Sequence, residues 1–126
     1  MTFSTPIKLE IDDLGKVFDL TYKKHTKKTL RKVEAFQEKL LVQIEEIEAK
    51  AKELIAADAS NTEIRALNKT KMGNQEFMNS VAEFEFKLLV SGYDKDLTDI
   101  LDDFPDGYLM AYKEIIDLNQ EAMRKK

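Results

Sequence analysis

Three groups of side chains in this sequence are of types that carry chemistry: a lone histidine, an aspartate-rich stretch and a lysine-rich stretch. His25 lies between Lys24 and Thr26, with Lys27 and Lys28 beyond. One imidazole in a basic run supports no nucleophile–base–acid order. It is expected to be a solvated loop residue. The acids Asp94, Asp96, Asp99, Asp102, Asp103 and Asp106 have the right type for a calcium loop but the wrong spacing. Counted from Asp94, Asp99 stands where the loop needs glycine, and Pro105 stands where it needs a bidentate glutamate. Counted from Asp102, Gly107 fits, but Phe104 and Lys113 fall on ligand positions. Nothing in the pattern buries one carboxylate beside another, as acid–base work requires. Helix caps and a solvated acidic face are the expectation, with no catalytic residue, metal or cofactor.

The basic cluster is more informative. Lys23, Lys24, Lys27, Lys28, Arg31 and Lys32 follow one another with no acid among them. Several fall in the first turns of a helix, where cations oppose the macrodipole at a few tenths of a kcal/mol each. Such a broken local rule points to a partner. Nucleic acid is disfavoured: aromatics are not interleaved, no helix-turn-helix or zinc signature exists, and the net charge is −4. A solvated face or a protein partner remains. Lys27, Lys28 and Arg31 could meet acids such as Asp99, Asp102 and Asp103, within one chain or between successive subunits. A head-to-tail contact of the second kind builds rings or spirals.

The elements that position these groups follow from periodicity. Ile7, Leu9 and Ile11 alternate with Lys8 and Glu10, and Phe18, Leu20 and Tyr22 alternate with Asp19 and Thr21. Around Asp12-Asp13-Leu14-Gly15-Lys16 this predicts a β-hairpin over about 6–22. Two strands alone are marginal, so one face must pack on a helix or pair with a third strand. A helix is predicted over about 26–57, where Leu30, Val33, Gln37, Leu40, Ile44, Ile47, Ala51 and Leu54 step by three and four. About 29 helical residues would span roughly 44 Å. A globule of this chain length is only about 36 Å across. The helix is therefore expected to project or to lie along another subunit. The candidate interface residues on it are Leu30, Val33, Leu40, Ile44, Ile47 and Leu54.

A helical C-terminal part of two or three shorter helices is predicted over about 62–126. Ser60 and Glu63 have capping-box spacing. Phe77, Val81, Phe84 and Leu88 form a strong stripe, while Gly73 predicts a break near 68–74. Ser91-Gly92 reads as a helix stop, Asp94 or Asp96 as the next cap, and Pro105-Asp106-Gly107 as a turn before a last helix carrying Tyr108, Tyr112, Ile115, Ile116 and Met123. The whole is mainly α with a small β part (α+β), one domain of 126 residues. There is no cysteine, which removes disulfides and thiolate chemistry. No apolar run approaches the ~20 residues of a membrane span. The start has no signal-peptide pattern, so a cytoplasmic protein is expected.

The stretch Phe84-Glu85-Phe86-Lys87-Leu88-Leu89-Val90-Ser91-Gly92-Tyr93, then Leu97-Thr98-Asp99-Ile100-Leu101-Asp102-Asp103-Phe104-Pro105-Asp106, then the amphipathic 109–118, resembles the tail assembly chaperones of long-tailed bacteriophages of Gram-positive hosts. The order of a short strand segment, a charged helix and these later elements is similar too. The resemblance implies a non-enzymatic protein of the host cytoplasm that self-associates into rings or spirals. Its partner would be the tape-measure protein, or another tail protein, which it keeps soluble during tail assembly. The competing expectation is a helical adaptor or oligomeric scaffold using the Leu30–Leu54 stripe as a seam.

Overall fold

The hairpin solves its stability problem in both of the ways open to it. In a computed structural model that describes residues 4–11 and 15–124, β1 (Ser4–Ile11) pairs antiparallel with β2 (Lys16–Lys23), from Ser4 opposite Lys23 to Ile11 opposite Lys16. A two-residue β3 (Val90–Ser91) then pairs with the far end of β2, giving the order β1-β2-β3. The alternating residues Ile7, Leu9, Phe18, Leu20 and Tyr22 are buried on one face. Lys8 and Asp19 lie opposite one another on the solvent face. Gly15, which precedes β2, takes φ 61°, a conformation glycine adopts without a steric cost. The rest of the expected turn, 12–14, lies outside the described residues.

The helices are α1 (Lys27–Ala56), α2 (Asn61–Lys69), α3 (Asn74–Leu89), α4 (Lys95–Asp102) and α5 (Gly107–Arg124). The fold is therefore mainly α with a small antiparallel sheet, as the periodicity predicts. The expected second helix is divided at 70–73, next to Gly73, so four shorter helices follow the long one rather than the two or three expected. Ser60 accepts a bond from the Glu63 amide and Asp94 one from the Asp96 amide, which satisfies amides left free at the starts of α2 and α4. At the other end of α1, Asp58 takes φ 59°, and the Ala59 amide donates back to the Leu54 carbonyl. This left-handed residue stops the helix after 30 residues, or roughly 45 Å.

One core lies between the sheet and α3, α4 and α5. Phe86, Leu97 and Ile115 are wholly buried there, with Ala82, Leu89, Leu101, Tyr108 and Ala111 around them. Tyr108 meets Phe86 edge-on at 5.5 Å, a favoured aromatic geometry. The start of α5 is pressed against the end of α4, and a Cβ at Gly107 would fall on the Leu101 carbonyl oxygen. The Pro105-Asp106-Gly107 turn thus needs its glycine for close approach.

A second, smaller cluster joins α1 to the opposite side of α3. It holds Val33, Leu40 and Val81, with Phe36, Phe77, Phe84 and Leu88 partly buried beside them. Phe36 and Phe84 stack at 4.4 Å and 8°. The stripe Phe77–Val81–Phe84–Leu88 therefore faces α1, while Ala82, Phe86 and Leu89 face the core shared with α5 and the sheet. So α3 is covered on two sides and α1 on one.

Candidate protein-interaction site

The long helix has a packed face, and a second apolar edge beside it. Of the predicted stripe, Val33 and Leu40 are buried against α3, within the chain. Ile44, Ile47 and Leu54 are only half-buried, and Leu30 is exposed. Beyond Leu40 no residue of α1 is buried. That distal half packs on α2, which itself has no buried residue. Leu30, Leu41 and Ile55 remain 48, 48 and 64 % exposed. At about 100° per residue these three lie within roughly 40° of one another. They form an apolar line beside the packed face, and Ile44 falls between the two. No helix among the described residues is long and apolar enough to cross a membrane, so this line is not part of a span.

The basic start of α1 is held from beneath. Thr26 is the cap: its hydroxyl accepts from the Thr29 amide at 3.2 Å, and the Thr29 hydroxyl accepts from the Thr26 amide at 2.8 Å. No acid occupies the first turn. Instead a carboxylate comes from α3. His25 Nε2 lies 3.2 Å from Glu85 Oε2, and its Nδ1 lies 2.9 Å from the Thr29 hydroxyl. The histidine is therefore not the solvated loop residue expected from its basic neighbours. Its ring is four-fifths covered and fastens the start of α1 to α3. Sequence neighbours showed the charge around His25 but not the helix that packs on it.

Lys23, Lys24, Lys27, Lys28, Arg31 and Lys32 are all exposed. Asp99, Asp102 and Asp103 are exposed as well. No ion pair among the described residues joins the two groups. Nor do the described residues contain three acids or histidines placed to hold a metal ion.

Glu85 belongs to a wider polar network. Burial, then the Glu85 carboxylate and the neighbouring Tyr22, push the Tyr112 hydroxyl far above the usual tyrosine range. Tyr22 is raised by burial, partly offset by its bond to Tyr112. Tyr108 is raised by burial first and then by the nearby Asp102. Strong perturbation can mark a functional site. None of these tyrosines lines either cleft described here, so the network reads as structural. It joins β2, α1, α3 and α5.

The first cleft, about 440 Å³, lies between the Ile11 end of β1 and the facing ends of α4 and α5. Its apolar wall includes Ile11, Ile100, Phe104 and Met110, and its rim carries Glu10, Asp106 and Glu114. Phe104 and Met110 are 51 and 59 % exposed. The sequence marked Glu10 as a strand's solvent face, alternating with Leu9 and Ile11, and placed Phe104 just before the Pro105 turn. It could not show that they share a cleft, because only the packing of β1 on α5 brings them together. The second cleft, about 340 Å³, runs beside the Phe36–Phe84 stack and is edged by Glu83 and Lys87.

Set against known proteins, the chain matches no family model, no curated protein and no solved structure.

Proposed function

We propose that this chain is a non-enzymatic assembly chaperone of the cytoplasm, which self-associates and keeps an amphipathic partner protein soluble. The specific form we favour is a bacteriophage tail assembly chaperone that binds the tape-measure protein, by the resemblance of 84–118. The observation that carries the reading is the apolar line Leu30–Leu41–Ile55 on a roughly 45 Å helix whose distal half has no buried residue. Exposed apolar surface arranged in a line is what a partner helix or a long apolar segment needs. The charges around it keep the free chaperone in solution.

The test is co-expression with the tape-measure protein of the same genome. The expected result is a soluble tape-measure protein that co-purifies with this chain, and loss of both on Leu41→Glu with Ile55→Glu. Circular dichroism of that variant should match the parent, because both side chains are exposed. A tape-measure protein that stays insoluble beside the parent chain sinks the reading. A helical adaptor is the second reading, favoured because the exposed line lies on one helix. It predicts a dimer of fixed mass through that helix. Nucleic-acid binding through 23–32 is third, and a salt-dependent gel shift would revive it.

A further inference from the structure

We infer that the open edge of β1 pairs with β1 of a second copy of this chain, antiparallel and centred on Leu9, so that Lys8 of each copy stands opposite Glu10 of the other. The inference rests only on the self-association proposed above, and it names an interface that does not use α1.

The edge is open because of how the ladder bonds are spent. The Val90 amide, at the end of α3, donates to the Phe86 carbonyl, so β2 and β3 are bonded through Thr21 and Ser91. In an antiparallel sheet, a residue that turns its amide and carbonyl to one neighbour turns neither to the other. Thr21 therefore turns away from Pro6, its partner in β1, and Pro6 turns outward. Lys8 and Glu10 turn outward with it, at the same period of two. Proline has no amide hydrogen, so it sits at this outward position without losing a bond. Among the described residues β2 is the only strand beside β1, and α5 packs on the inner face, where Ala111 and Ile115 join the core. The first cleft touches inner-face Leu9 and solvent-face Glu10 alike, so it opens at the edge itself. A row of unpaired amides and carbonyls is a template for another strand.

Charge and proline together choose the occupant and its register. Lys8 and Glu10 are both exposed, and neither joins an ion pair among the described residues. A two-fold pairing centred on Leu9 sets Lys8 opposite Glu10 on both sides of the axis, and Ile7 opposite Ile11 on the inner face. Opposite charges facing one another across strands stabilise a sheet, and like charges destabilise it. Each Lys8–Glu10 pair also exchanges both of its backbone bonds. Asp19 already stands beside Lys8 from β2, so the lysine would lie between two acids. Centring on Lys8 instead sets lysine against lysine, and sets Pro6, which has no donor, against Glu10. Centring on Ile7 sets Lys8 against Pro6 and loses both charge pairs. Lysine and proline commonly blunt an edge. Here they exclude the other registers and leave this one. The contact is isologous and closes at two chains. Short strands bury little surface, so the pairing is weak and depends on concentration.

Charge reversal on the full-length chain tests this. Sedimentation of the parent from about 1 µM to about 1 mM should pass from one chain to two. Lys8→Glu alone and Glu10→Lys alone should each weaken the pairing roughly tenfold or more, because each sets like charges opposite one another. An equimolar mixture of the two should pair as the parent does, and so should the double variant, since both restore opposite charges at every facing position. Circular dichroism should not change, because both side chains are exposed. The Lys8 and Glu10 amides should exchange slowly with solvent only at concentrations where the parent pairs. A parent at single-chain mass throughout overturns the inference. So does a mixture or double variant no tighter than the single variants, or amides that exchange equally fast at both ends of the range. A dimer lost on Leu41→Glu with Ile55→Glu but kept by Lys8→Glu also overturns it, and assigns the contact to α1. Lys8→Glu should leave co-purification of the tape-measure protein in place, so failure of this interface and failure of the chaperone reading are distinguishable.

Discussion

The sheet-side core and the distal α1–α2 arm belong to one chain, yet they are stabilised in different ways. In the core, Phe86, Leu97 and Ile115 have no measurable exposure, and aromatic rings pack on one another at 5.1 and 5.5 Å. In the arm, from Leu41 to Lys69, no residue is buried. Helix propensity holds part of it: Glu, Lys, Ala and Leu fill the distal half of α1 without a glycine or proline. Propensity alone is weak stabilisation in water. The difference teaches where a partner acts. A surface already covered by its own chain gains little from another protein, whereas a half-covered helix gains both burial and order.

The largest test of this contrast is a pair of truncations. Phe86→Ala empties a fully buried site in the core and is expected to cost about 3–5 kcal/mol. That is a large share of the ~5–15 kcal/mol that folded domains have. Ile47→Ala in the arm removes only half-buried surface and should cost about 1 kcal/mol. Urea unfolding of both variants measures the difference. Equal costs would mean that the arm is as well packed in solution as the core, and the contrast would fall.

Tyrosine ionisation probes the core alone, because 27–69 contains no tyrosine. Tyr108 and Tyr112 are pushed above the usual range by burial first, and Tyr22 is raised by the same cause. A group whose pKa is raised by folding contributes stability that is complete below its unfolded value. For tyrosine that value is about 10. The contribution is lost as pH rises past it towards the folded values. Urea midpoints are therefore expected to hold to about pH 10 and then to fall. Ionisation followed at 295 nm should show these hydroxyls titrating with unfolding. Tyr112→Phe should blunt the fall, since it removes the phenolate that folding excludes.

The two regions also differ in how far they could be read in advance. Period-two alternation placed Ile7, Leu9, Phe18, Leu20 and Tyr22 on one face, and they are the inner face of the sheet. Thr26 and Asp58 bracket the long helix, and Ser60, Gly73 and Asp94 mark the next starts, since caps and breakers act locally. Periodicity shows that a face is apolar but not what covers it. It found the stripe on α3 that meets α1 and missed the Ala82–Phe86 side that packs on α5, because a helix buried on two faces has no single stripe. The two-residue β3 was too short to show a period. Leu30 looked equivalent to Val33 and Leu40, yet it is exposed, on the edge beside the face that α3 covers. The cleft was invisible for a different reason: Glu10 and Glu114 are neighbours only after the fold forms.

The smallest expected effect concerns the one ion pair between α1 and the segment that follows α2. Lys71 Nζ lies 2.8 Å from Glu48 Oε1, and both side chains are about half exposed. Its bond to Lys71, and then the lysine's charge, hold the Glu48 carboxyl below its usual range. A depressed carboxyl contributes stability above its unfolded value and loses it as pH falls through the folded one. The relevant window is therefore acidic, below the ordinary glutamate range. Water and salt screen a pair this exposed, so its removal should leave the global urea midpoint in place. Lys71→Ala is expected instead to return the Glu48 midpoint to the ordinary range, followed by carboxyl-carbon NMR across acid pH. Amide exchange in α2 should quicken at the same time, with α3 and α5 unchanged. If the Glu48 midpoint does not move, the pair does not form in solution. If exchange quickens equally in α3 and α5, the arm is not a separate, weaker unit but part of the core's cooperative fold.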